Sequence, residues 1–184
     1  MFYIYEIEEK VGVHAKNLKK NIEEGVLETL EERSFRGSEG IFLGVISIDE
    51  ISKEGEILPE RPEVFFNTKY KALFFKPLEG ELVEGIVSDV VNFGAFIKLG
   101  PLEGLVHISQ IMKESCYFNQ AQNIISNKKG DKVLKVDDIV RCRIVSASIG
   151  EKEKIGLTMR QPWLGALRWI EEEKKKLEKE KTKK

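Results

Sequence analysis

Two periods of hydrophobic residues alternate along this chain and mark its elements. Residues 2–13, Phe-Tyr-Ile-Tyr-Glu-Ile-Glu-Glu-Lys-Val-Gly-Val, are rich in Tyr, Ile and Val, and predict a strand. The spacing then changes: Leu18, Ile22, Val26 and Leu30 recur every four positions, Leu27 widens the stripe, and the pattern predicts a helix over 17–33. Gly25 lies inside this helix, where it weakens an isolated helix by about 1 kcal/mol, and it marks close packing on a sheet. A break follows over 34–40, then a strand over 41–51, a turn at Lys53-Glu54-Gly55 and a short pairing segment over 56–58. Pro59 and Pro62 interrupt any strand interior, and 64–75 predicts a long strand. On it Val64, Phe66, Tyr70, Ala72 and Phe74 share one face, opposite Phe65, Lys69, Lys71, Leu73 and Phe75. Apolar rings on both faces call for burial on both sides, by the helix or by a partner; Val64, Phe66 and Tyr70 are the candidate partner interface. The first half is therefore an α+β unit, strand–helix–strand–strand, in the manner of a truncated RNP-like fold.

Lys76-Pro77-Leu78-Glu79-Gly80 stops that pattern, and the expected domains are 1–80, 81–165 and a charged helix with a fraying tail over 166–184. From Gly85 to Ser109 the chain reads as short strands cut by glycine: one from Ile86 that breaks near Asn92, one over 93–99, a turn at Gly100-Pro101, and one over 104–108. Val136 to Ser148 and Ile155 to Met159 predict a fourth and a fifth strand, with Gly150-Glu151-Lys152-Glu153 turning between them. Five short, tightly turned strands suit a small closed barrel.

Alternation assigns faces within this barrel. Ala95, Ile97 and Leu99 point one way, Phe96 and Lys98 the other; Val106 and Ile108 oppose Leu105 and His107; Val140, Cys142 and Ile144 oppose Arg141 and Arg143. Small and aliphatic residues belong inside, which leaves Phe96 beside Lys98 outside, and a bulge near Gly94 would turn Phe93 to the same side. Two rings, a lysine and a histidine on one surface form a platform for stacked bases and phosphate. Alternation alone leaves open a reading in which both rings are core and His107 is a satisfied polar residue. Arg141 and Arg143 suit phosphate or plain solvation, and Tyr117 and Phe118, in the long stretch over 110–135, suit covering of the barrel edge or contact with RNA.

Charge changes the picture modestly. Residues 1–80 carry 16 acidic and 11 basic side chains and residues 81–184 carry 15 and 19, so an acidic half precedes a mildly basic one. This assigns nucleic acid to the second half and protein to the first. Cys116 and Cys142 have no metal-ligand spacing, and a reducing, cytoplasmic compartment fits. No apolar run approaches a membrane span, so no membrane partner is expected, and the start of the chain has no basic lead or cleavage site of a signal peptide.

Gly85-x-Val87, Phe93-Gly94-Ala95-Phe96 and Gly104-Leu105-Val106-His107-Ile108-Ser109, in this order and spacing, resemble the ribosomal-protein-S-one RNA-binding domain, a five-stranded OB barrel. The resemblance implies an RNA face lined by Phe93, Phe96 and His107. A short α+β domain, one such barrel, then Gly156-Leu157-Thr158-Met159-Arg160-Gln161-Pro162 and a charged helix resemble, over nearly the whole chain, the E-prime family of archaeal DNA-directed RNA polymerase subunits, with its counterpart in the seventh subunit of eukaryotic RNA polymerase II. Where that family often has proline and Phe-Gly before the first helix, this chain has His14-Ala15-Lys16-Asn17-Leu18-Lys19-Lys20. The resemblance implies a non-catalytic stalk subunit without cofactors. It would form a heterodimer with the smaller stalk polypeptide of the polymerase, the F polypeptide. The pair would be anchored to the polymerase core at the clamp base, with nascent single-stranded RNA held on the barrel. Lys98, Arg141 and Arg143 are the candidate phosphate contacts beside the rings. The competing reading is a free-standing S-one-type RNA-binding factor of the exosome-cap or translation kind. An enzyme has no support in the sequence: His14 and His107 lie in different domains, with no metal-ligand set, P-loop or paired carboxylates.

Overall fold

The first period builds a sheet and the second a helix that covers it. The structure is a computed structural model describing residues 1–19, 21–33, 35–37, 39–149 and 153–181. The chain divides into two units, Met1–Lys76 and Pro77–Lys184. In the first, strand β1 (Phe2–His14) leads through a 3₁₀ turn, Asn17–Lys19, to helix α1 (Ile22–Glu31), followed by β2 (Arg36–Gly37), β3 (Gly40–Ile51), β4 (Glu56–Ile57) and β5 (Glu63–Phe75). The sheet runs β1-β5-β3-β2, with β4 also on β5, and every pairing is antiparallel. The helix expected over 17–33 is split because Asn21 is extended (φ −155°, ψ 148°) and helical backbone cannot pass through it. Leu18 and Ile22 still pack on the core beside Val26 and Leu30, so the stripe keeps its function across the break. Gly25 sits where expected for close packing: a Cβ there would lie 2.8 Å from the Asn17 carbonyl oxygen and 3.1 Å from Val13.

Strand β3 departs from simple alternation. Its register against β5 slips between Phe42 and Gly44, between Val45 and Ser47, and between Ile48 and Glu50, so Leu43, Ile46 and Asp49 are extra residues. Phe42, Val45, Ile48 and Ile51 all pack on the core, a period of three, while Leu43 and Ile46 are exposed.

The expected partner face of β5 needs correction. Phe66 and Tyr70 are each 4% exposed and sit in one cluster with Val11, Val13, Val26 and Leu30; Val64 is partly buried against it. The chain's own helix covers this face, which an amphipathic stripe of that length and direction is built to do. Tyr70 is satisfied there by donating its hydroxyl to Glu9 Oε1 at 2.8 Å, and burial together with that carboxylate pushes its pKa above the usual range. The opposite face is the open one, where Phe2, Ile4, Leu43 and Ile46 are exposed.

The second unit contains β6 (Leu82–Val91), β7 (Gly94–Lys98), β8 (Glu103–His107), β9 (Cys116–Asn119), β10 (Ile124–Asn127), β11 (Val133–Leu134), β12 (Ile139–Ser148), β13 (Lys154–Thr158), β14 (Gly165–Ala166) and helix α2 (Leu167–Lys181). The order β13-β8-β7-β6-β12 closes on itself through β12–β13 and makes the five-stranded barrel; only β8–β13 is parallel. Its interior is aliphatic, with Val87, Ala95, Ile97, Val106, Val140 and Cys142 at 0% exposure. Burial pushes the Cys142 thiol up to about 12, so it acts as a small apolar residue.

The fourth strand starts at Ile139 and not at Val136, because Asp137 (φ 69°) and Asp138, whose Oδ2 accepts from the Lys135 N–H at 2.9 Å, form a turn. The stretch 110–135 folds into a separate three-stranded sheet, β11-β10-β9, with Ile125 and Leu134 buried. In that sheet Tyr117 is 48% exposed and Phe118 half-buried. Among the described residues helix α2 buries only side chains of its first turn, Trp169 and Ile170, and Arg168 bonds Asp138 at 2.7 Å and the Val133 carbonyl. The turn at Gly150-Glu151-Lys152, residues Lys20, Ser34 and Ser38, and the end of the tail over 182–184 lie outside the described residues.

Gly25 yields a test with opposed signs. Helix propensity alone favours Gly25→Ala by about 1 kcal/mol, but the added methyl meets backbone that cannot swing away, so a net loss of about 1–3 kcal/mol is expected from urea unfolding.

Candidate nucleic-acid interface

The outer surface of β7 and β8 follows from the register. Lys98 pairs with Glu103, Phe96 with Leu105 and Gly94 with His107, so these six residues form three rungs on one face. Phe93 precedes the first rung in the Asn92–Phe93 turn; the turn, and not a bulge at Gly94, brings it to this side. Its carbonyl accepts the Ile108 N–H at 2.8 Å, which ties the turn to the end of β8. Gly94 is required: a Cβ would stand 2.2 Å from the Val106 carbonyl oxygen. Phe93 is 46% exposed and Phe96 half-buried, and their rings meet edge to face with centroids 6.2 Å apart.

His107 is exposed beside them. Its Nδ1 accepts the Ser109 N–H at 3.3 Å and lies 2.9 Å from the Ser109 hydroxyl, which leaves the proton of the neutral ring on Nε2, the outer nitrogen. Past Leu105 the surface continues onto β13 at Gly156, the residue paired with it, and onto Val145 of β12. Together with Gln110 these residues line an open groove of about 990 Å³. Among the described residues no group of three or more His, Cys, Asp or Glu is arranged to hold a metal ion, and no helix is long and apolar enough to cross a membrane.

Comparison with known proteins matches residues 76–159 to the S1 RNA binding domain, the span that holds all five barrel strands. The Rpo7 subunit of DNA-directed RNA polymerase from Sulfolobus acidocaldarius is 37% identical over 136 residues, 73% of this chain and 74% of that protein. The chain belongs to the Rpo7/RPB7 family of RNA polymerase subunits. The RNA polymerase II subunit rpb7 of Dictyostelium discoideum is 30% identical over 172 residues, 91% of this chain and 99% of that protein. The RPB7 of Saccharomyces cerevisiae is 28% identical over 174 residues, 91% and 100% of the two chains.

In this Rpo7/RPB7-family chain the six sequence-nominated nucleic-acid residues do not all gather. Phe93, Phe96, Lys98 and His107 share the β7–β8 face. Arg141 is held elsewhere: on β12 its Nε and Nη2 both donate to Glu84 Oε1 of β6, at 2.9 and 2.7 Å. Arg143 donates from Nε to Gln161 Oε1 at 2.8 Å and from Nη1 to the Gly80 carbonyl at 2.7 Å. Their outward alternation was legible, but the acceptors lie 57, 18 and 63 residues away in sequence. Val145 and Gly156 were missed as groove residues. The signal for Val145 was present, since it is an exposed apolar residue at the outward position that follows Arg143 by two.

Because the Arg141–Glu84 pair is solvent-exposed, Arg141→Ala is expected to lower unfolding free energy by under about 1 kcal/mol, and a double-mutant cycle with Glu84→Ala should return a coupling of about 0.2–1 kcal/mol.

Proposed function

We propose that this chain is a binding subunit of a DNA-directed RNA polymerase whose barrel holds single-stranded RNA, and that it makes and breaks no bonds itself. One observation carries the RNA reading: Phe93, 46% exposed, is set edge to face against Phe96 on the outer face that also carries Lys98 and His107, so two rings stand beside a cation and a ring N–H donor. The S1 match over the same strands and the family membership support it.

In this reading bases stack on Phe93 and Phe96, at about 1–3 kcal/mol per stacked base. Lys98 steadies phosphate, and His107 offers Nε2–H to a base edge or a phosphate oxygen. The contacts are to ring faces and backbone charge, so recognition tolerates sequence. The first unit is the attachment end, pairing with the smaller F polypeptide of the stalk and with the polymerase core at the clamp base. Its open sheet face suits burial by protein, with Phe2 54%, Ile4 63% and Ile46 52% exposed. That face replaces the β5 face that α1 covers.

Replacing Phe93 and Phe96 together by Ala should weaken binding of a labelled single-stranded RNA by about tenfold to hundredfold, read by fluorescence anisotropy, with the circular dichroism unchanged. Unchanged affinity would sink the platform. Ile4→Lys with Ile46→Lys should abolish co-purification with polymerase while RNA affinity stays at the wild-type value. Normal incorporation would show that the open face is not the attachment surface.

A further inference from the structure

The groove beside Phe96 does not end at the barrel rungs. Gln110 and Val145, which line it, also line a second hollow of about 640 Å³ shared with Lys113, Thr158, Arg160 and Gln161. Lys113, Arg160 and Gln161 in turn border a third, of about 220 Å³, that reaches Pro162 and Trp163. Shared lining residues thus link these three hollows in series, as a track from Phe96 to a third ring, Trp163.

The polar floor of the track is built. Thr158 donates its hydroxyl to Gln110 Oε1 at 2.9 Å, the Met159 N–H donates to the Gln110 carbonyl at 2.8 Å, and Arg143 fixes Gln161 at 2.8 Å. Four cations line it, Lys113, Lys132, Lys154 and Arg160, and two of them are available. Lys113 and Arg160 are exposed and, among the described residues, have no ion-pair partner. Of the carboxylates that border the hollows, Glu173 pairs with Lys132 at 2.8 Å and Glu114 accepts from the neutral Asn127 amide at 2.7 Å, while Glu103 and Glu153 line only the first hollow, which Lys113 and Arg160 do not reach.

Trp163 sets the far end. Gln161 to Leu164 form a turn, closed by the Leu164 N–H on the Gln161 carbonyl at 3.3 Å, with Pro162 at its second position and Trp163 at its third. Trp163 has φ 65°, a conformation that in such a turn belongs to glycine, and its side chain is 44% exposed. A bulky ring held at a strained position and left in solvent marks a site where the ring itself is needed.

We propose that RNA held on the Phe93–Phe96 face continues along this track, with Lys113 and Arg160 on its phosphates and Trp163 as a second stacking position. The inference rests on the RNA reading of the barrel. It favours a single strand over a protein segment because two unpaired cations separate two ring positions, the alternation of charge and flat surface that a nucleic-acid backbone and its bases present.

The test uses the full chain and oligouridylates of about four and about twelve nucleotides, the range of site sizes for one OB fold. Wild type should bind the longer oligomer at least tenfold more tightly. Lys113→Ala with Arg160→Ala should remove that gain, leave the short oligomer's affinity unchanged, and reduce the salt slope for the long one by about 1.4, two single-strand phosphate contacts. Tryptophan emission should be quenched by the long oligomer and not by the short one, and the quench should vanish in Trp163→Phe, since Trp169 is 5% exposed. Trp163→Gly suits the turn geometry and keeps the fold; it should lose the gain while its melting temperature holds or rises. Equal affinities for both lengths, a gain that survives the double substitution, or saturating long RNA without quenching would each overturn the track and leave the barrel face standing. Failure of the wild type to bind either oligomer would overturn both.

Discussion

Closure of the barrel is the constraint on which the candidate site depends. Five strands enclose a space narrow enough that only small and aliphatic side chains fill it, and the buried set, Val87, Ala95, Ile97, Val106, Val140 and Cys142, contains no ring. Alternation then leaves Phe96 and Lys98 only the outside of β7, and Leu105 and His107 only the outside of β8. The β8–β13 pair, the parallel one of the ring, sets Gly156 across from Leu105. The candidate surface is thus a by-product of what the interior cannot hold.

The same geometry fixes which charges are available. An outward arginine on β12 faces β6, where Glu84 waits on the neighbouring strand, so Arg141 is neutralised within the sheet. Lys98 and Glu103 oppose each other across β7 and β8 in register, yet no bond ties them in the described structure, and Lys98 stays exposed. The free cations beside this face are therefore Lys98, at the last position of β7, and two that lie outside the strand ladder. Lys113 follows a 3₁₀ turn, Ile108–Gln110, that comes after β8, and Arg160 follows β13.

Much of this was legible in the residues. Period-two runs located the barrel strands within a few positions, and the four-residue stripe located α1 and correctly flagged Gly25 as a packing glycine. What the sequence left open has physical causes. Val64, Phe66 and Tyr70 lie on a sheet with apolar rings on both faces, and nothing local says which face the helix covers. Strand β3 carries three register slips, and its core residues recur every third position, a spacing that reads as neither strand nor helix. The sheet over 116–134 is made of strands of four, four and two residues, too short for any periodicity to show. Arginine acceptors lay many residues away. Long-range pairing decides each of these, and local pattern does not.

A chain with net charge −1 is an unusual place to look for a grip on RNA. Long-range attraction is weak, so affinity on the proposed reading must come from ring contacts and a few local cations, which gives a modest constant and a shallow salt dependence. That is a disadvantage for a free protein searching for RNA in solution. For a protein held on a polymerase it is not, because attachment replaces search: RNA emerging nearby is present at an effective concentration set by the length of chain between the two contacts. Weak, sequence-tolerant holding also lets the strand move on, since a transcript that must keep sliding cannot be bound tightly at any one base. The near-neutral charge, the displayed rings and the unpaired cations beyond the strand ends are therefore mutually consistent, and they favour a polymerase-bound protein over a free-standing factor.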